Sequence, residues 1–145
     1  MEGYKFRLQK LLDIRVDKEE ESKRSFKKAQ LEKEKVEERL NNLKENYNKH
    51  RTSETAVTLV EQKLKHMYLN ALSNSIMETN IELEDRKNNL ENKREILKQT
   101  QIERKTVETL KDKQLKAFVK ERELVEQKSN DEFALYGYLR TRERR

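Results

Sequence analysis

An all-α fold, a long antiparallel two-helix coiled coil closed by a short turn, is what this sequence predicts, and three observations predict it. The chain has no proline, and its two glycines, Gly3 and Gly137, lie near its ends. Nothing between them breaks a helix outright. Of the 145 residues, 43% are charged and only 32% hydrophobic, against roughly 45–50% apolar in an ordinary globular domain. A wide core is therefore not expected. The 34 basic and 28 acidic residues nearly balance, to a net charge of +6. Mixed charge of this kind suits a solvated helical surface better than a self-repelling disordered coil. Finally, the apolar residues recur with a heptad period, which confines them to a narrow seam.

The first helix is expected over about residues 4–51. It opens on "FRLQKLLDIR", the densest apolar stretch of the first third of the chain. Steps of four and three from Leu8 then give Leu12, Arg15, Glu19, Ser22, Phe26, Ala29, Lys33, Val36, Leu40, Leu43, Tyr47 and His50. That seam is weak from Arg15 to Ser22 and clear from Phe26 onward.

The turn is expected at about 52–60. "RTSETAVT" clusters Thr52, Ser53, Thr55 and Thr58, side chains that compete for backbone hydrogen bonds and favour caps over helix interiors. "LSNS", residues 72–75, is the rival site, but Leu69, Leu72 and Ile76 run through it without a change of phase.

The second helix is expected over about 61–139, with a basic tail at 140–145. Ile76, Leu83, Leu90 and Leu97 are seven apart, and Phe118 and Val125 share their phase. Arg104 and Lys111 interrupt this seam, while Val107, Leu110, Ala117 and Leu124 lie nearby. Two helices with narrow seams need each other, and antiparallel pairing lets the connection stay short. The arms come out unequal, at roughly 48 and roughly 80 residues, so the longer one overhangs by tens of ångströms at ~1.5 Å per residue. One domain, a highly helical and elongated monomer, is the expectation for the whole chain.

The same features exclude most chemistry. A two-helix rod has no water-poor pocket in which catalytic groups could be held and tuned. His50 and His66 are not spaced as a helical ligand pair, and the chain has no cysteine. A phosphate-cradling loop needs glycines that the interior lacks. No catalytic residue, metal or cofactor is expected, and the chain is not expected to be an enzyme. The opening residues lack a secretory signal's apolar core, and no apolar run approaches the ~18–20 residues that span a bilayer. A cytoplasmic protein is the default. "RTRERR" reads as a solvated helix end, and no nucleic-acid partner is expected.

What can carry function is apolar surface outside the seam. Tyr68, Leu72, Ser75 and Thr79 recur at helical spacing beside the turn, either as a binding stripe or as packing against the turn itself. "DEFALYGYLR" brings Phe133, Tyr136 and Leu139 to the overhanging helix, where Gly137 would let the helix finish or bend.

Three stretches in order, "FRLQKLLDIRVDKEEE", "LNNLKENYNKHR" and "EQKSNDEFALYGYLR", resemble the flagellar export protein FliJ family. The resemblance covers nearly the whole chain, including its length, basic balance and lack of cysteine. It implies an antiparallel coiled coil similar to the central stalk subunit of rotary ATP synthases. It also implies a role: insertion into the hexameric ring of the export ATPase and contact with the cytoplasmic linker of the export gate, with export chaperones as further partners. Such a stalk couples ATP hydrolysis to export and meets the inner membrane only peripherally, through the apparatus. By position, Leu43, Tyr47, Tyr68 and Leu72 match the gate-facing patch, while the family can carry other residues where Ser75 and Thr79 stand. Leu8, Leu11 and Leu12, with Phe133, Tyr136 and Leu139, match the ring-inserted end. The competing expectations are an injectisome-type secretion stalk and a generic coiled-coil scaffold that homodimerises.

Overall fold

The computed structural model describes residues 3–53 and 58–145. The fold is an all-α helical hairpin of two long helices packed against each other, with no strand among the described residues. Helix α1 spans Gln9–Arg51 and α2 spans Leu59–Glu143. Of the expected turn, Thr55 and its neighbours at 54–57 lie outside the described residues. The chain divides into two units, Met1–Asp17 with Ile102–Arg145, and Lys18–Gln101, and both helices contribute to each.

In the Lys18–Gln101 unit the pairing is antiparallel, because contacts climb α1 as they descend α2. The Arg94 guanidinium lies 5.8 Å from the centre of the Phe26 ring. Arg86 pairs with Glu32 at 2.8 Å, and Arg39 with Glu82 at 2.9 Å. Farther along, the His50 and Tyr68 rings meet edge to face at 4.9 Å. The α1 seam read from the sequence faces inward throughout this unit: Ala29, Val36 and Leu40 are buried, and Phe26, Leu43 and Tyr47 half-buried. On α2, Leu72 and Leu90 are buried with Ile76, Leu83 and Leu97 half-buried beside them. Glu19 is buried in the seam and reaches Lys23 at 3.5 Å. No large side chain among the described residues is fully buried. The core is a seam, as the composition requires.

The other unit has a small core of its own. Phe6, Leu12 and Val107 form its centre, with Tyr4 and Leu11 packed against it. The opening sticker thus holds α2. Phe6 stands just before α1, and its carbonyl accepts a bond from the Gln9 amide at 3.2 Å. Its packing with Leu12 fixes how the chain enters the helix, in the manner of a hydrophobic staple. Pairing is again antiparallel: Arg15 donates to the Glu103 carbonyl at 2.9 Å, Lys111 donates to Gln9 Oε1 at 2.7 Å, and the Tyr4 ring meets Phe118 at 5.5 Å. Arg15 and Lys111, which interrupt the apolar seams, are therefore hydrogen-bonded across the helix pair and leave no orphaned polar group there.

Three features differ from the sequence expectation. Helix α1 begins at Gln9 rather than near residue 4, because Tyr4 and Phe6 pack from a non-helical approach. Helix α2 neither finishes nor bends away at Gly137 but continues to Glu143. The backbone of Gly137 has no positive φ, and the Thr141 hydroxyl donates to its carbonyl at 2.8 Å. Lastly, Val125 shares the heptad phase of Phe118 yet is 62% exposed. Tyr4 is already packed on Phe118, and among the described residues only Gly3 precedes it, so nothing on the α1 side reaches Val125.

Candidate partner-binding surfaces

Beside the turn, α1 ends in Lys49, His50 and Arg51; Lys49 and Arg51 are favourable charges at the carbonyl end of a helix. Thr52 closes that end, its hydroxyl donating to the Asn48 carbonyl at 2.9 Å. Helix α2 opens on a capping box. The Glu61 amide donates to Thr58 Oγ1 at 3.2 Å, and the Thr58 amide donates to Glu61 Oε2 at 3.4 Å, so two amides of the first turn are satisfied reciprocally. The Lys65 ammonium donates to the Ser53 carbonyl. Of these bonds the last ties the first turns of α2 to the chain just after α1, beside the patch expected to bind.

That patch comes together only in part. His50 Nδ1 lies 2.8 Å from the Asn46 carbonyl, which orients the ring against Tyr68. Tyr68 is 44% exposed. Leu43 and Tyr47 are half-buried. Leu72, matched by resemblance to an exposed gate-facing position, is 8% exposed, and Thr79 is buried too. Both belong to the seam. Leu72 precedes Ile76 by four residues and Thr79 by seven, which are the inward positions of α2, and the Thr79 hydroxyl is satisfied by the Ser75 carbonyl at 2.7 Å. The stripe is thus mostly helix packing, and Tyr68 alone of its members is available.

The second set divides in the same way. Leu12 is buried, Leu11 is packed on the Phe6–Val107 core, and Leu8 is exposed. Phe133, Tyr136 and Leu139 are exposed at 74%, 63% and 42%. They stand on a helix that runs on from residue 123 with every residue exposed. Tyr4 and Phe6, which the seam count passed over, prove to be core. Their signal was the aromatic spacing before Leu8, which a strict heptad count excludes.

Among the described residues no group of three histidine, cysteine or acidic side chains is placed to hold a metal. No helix among them is long and apolar enough to cross a membrane. The hollows are open surface depressions, such as the one of about 680 Å³ beside Arg51, Gln62 and His66. Protein surfaces, rather than an enclosed pocket, are what this architecture offers.

A chain of this design is a helical-hairpin protein: two paired helices, with a stretch of α2 left uncovered. It belongs to the flagellar FliJ protein family, whose model matches residues 4–143. The flagellar FliJ protein of Bacillus subtilis (strain 168) is 26% identical over 142 residues, covering 94% of this chain and 97% of that protein. No solved structure matches the chain significantly. The resemblance carried by the three sequence stretches is thereby borne out at the level of the family.

Proposed function

We propose that this chain is a non-enzymatic stalk and chaperone-escort protein of the flagellar type III export apparatus. It inserts into the export ATPase ring, contacts the cytoplasmic linker of the export gate, and couples ATP hydrolysis to protein export. It works in the cytoplasm and associates with the inner membrane peripherally, through the apparatus. The observation that carries this reading is the unpartnered stretch of α2 from residue 123, with Phe133, Tyr136 and Leu139 exposed on it. A charged helix that keeps large aromatic side chains in solvent gains by burying them against another protein. Family membership supports the flagellar assignment over the injectisome one.

The two surfaces fall in different units of the chain, so the two contacts are separable. Tyr68→Ala is expected to weaken binding of the gate linker by ~1–3 kcal/mol, the usual cost of losing an aromatic anchor, while stimulation of the ATPase persists. Phe133→Ala with Tyr136→Ala is expected to do the reverse. Leu72 is excluded from the test because its loss would disturb packing. The measurement is the ring's hydrolysis rate and the affinity for the gate linker, on variants of unchanged helicity. Equal loss of both activities in both variants would sink the two-surface stalk.

A further inference from the structure

The exposed stretch of α2 is not uniform. Over residues 121–132 acidic side chains prevail, whereas over 133–145 Arg140, Arg142, Arg144 and Arg145 stand against Glu143 alone. At 3.6 residues per turn, Leu135, Leu139, Tyr136 and Phe133 share one face of this last segment. Arg142 falls along one edge of that face, Arg140 just inside the other, and Glu143, in the last turn, between Leu139 and Tyr136. All of these side chains are exposed. Beside the apolar face, Gly137 leaves a hollow of about 420 Å³ lined by Arg140, Thr141, Arg144 and Arg145. A Cβ added at Gly137 would meet nothing within 4 Å, so the hollow is open to a ligand.

We propose that residues 133–145 dock on the surface of an anionic phospholipid bilayer. Aromatic and aliphatic side chains over residues 133–139, with guanidinium groups just beyond them, match the boundary between acyl chains and headgroups, where long cationic side chains reach back to the phosphates. The planar forks of Arg140 and Arg144, which line the open hollow over Gly137, suit bidentate binding of phosphate oxygens. Charge complementarity selects the anionic lipid. The apolar face beside the hollow selects a bilayer over free phosphate or nucleic acid, neither of which would bury it. This inference goes beyond the stalk function and does not depend on it. Because Phe133, Tyr136 and Leu139 serve both surfaces, bilayer and ring would hold the segment alternately.

The test uses the full chain and vesicles, without ATPase or gate. The chain should co-sediment with vesicles of equal parts phosphatidylglycerol and phosphatidylcholine and stay in solution with phosphatidylcholine alone. Each arginine near an anionic surface contributes about fivefold in partitioning, so Arg140→Gln with Arg144→Gln should lower binding by about twenty-fivefold. Lys27→Gln with Lys44→Gln, which removes two exposed charges elsewhere, should leave it unchanged. Since the chain has no tryptophan, Tyr136→Trp adds a single reporter whose emission should move to shorter wavelength on the anionic vesicles. Equal binding to both vesicle types, or equal losses in the two charge variants, would overturn the proposal. So would an unmoved emission in bound chain, displacement by millimolar inorganic phosphate, or a segment buried instead in a dimer of the free chain. A failure here leaves the ATPase and gate assays untouched, and a failure there leaves this one standing.

Discussion

Val36 and Val125 show at the scale of one residue how much position outweighs identity. Both are valines on seam phases of heptad helices, but Val36 is 3% exposed and Val125 is 62% exposed. Val36→Asp should therefore cost about 3 kcal/mol or more, since it places a carboxylate between apolar side chains with no partner. Val125→Asp should change stability by no more than about 0.5 kcal/mol, the usual range for surface positions. Chemical denaturation of the two variants checks the pair. If both destabilise alike, α2 has a partner over residue 125. The seam's polar members follow the same logic. Arg15 and Lys111 are tolerated because each finds an acceptor across the pair, and replacing either with leucine would remove that bond while adding apolar area.

At the scale of an element, the ends of the helices matter more than their middles. Both interiors are long runs of good helix formers, and little local preference distinguishes one turn from the next. The capping box of Thr58 and Glu61 fixes where α2 starts. Thr58→Ala is expected to cost about 1 kcal/mol, seen as a lower melting temperature and faster amide exchange in the first turns after Leu59. Exchange unchanged there would mean that packing on α1, rather than the cap, sets the boundary. Cross-helix pairs such as Arg39–Glu82 are more than a third exposed on both sides. They fix register more than they stabilise, since exposed pairs contribute about 0–1 kcal/mol.

At the scale of the whole molecule, the packed residues and the uncovered ones are separable along the chain. The described residues from 123 onward bury nothing, whereas Phe6, Leu12 and Val107 make the core of their unit without them. Deleting residues 123–145 should leave the midpoint of thermal unfolding within a few degrees of the full chain, with helical ellipticity reduced by the length removed. Under the proposed stalk function, the same deletion should abolish stimulation of the ATPase ring. A large fall in the midpoint would show that this stretch stabilises the fold, and it could not then be reserved for a partner.

The helices, their antiparallel seam and the family are legible in the residues alone. These rest on local properties: the absence of helix breakers, a heptad period sustained over many turns, and three ordered stretches spread along the chain. Helix α1's seam from Phe26 to His50 faces inward residue for residue as the spacing requires. Which apolar side chains are left over once the helices have paired is set by the packing of one helix on the other. Leu72 and Tyr68 are neighbours in one stripe of the sequence, yet Leu72 packs into the seam while Tyr68 leans on His50 and faces solvent. Leu12 and Leu8 divide in the same way, and Phe6, off the heptad count, is core. The reason is physical. A period states which residues share a face, but exposure depends on whether another helix covers that face at that level, and coverage is settled by where the partner begins, ends and meets it.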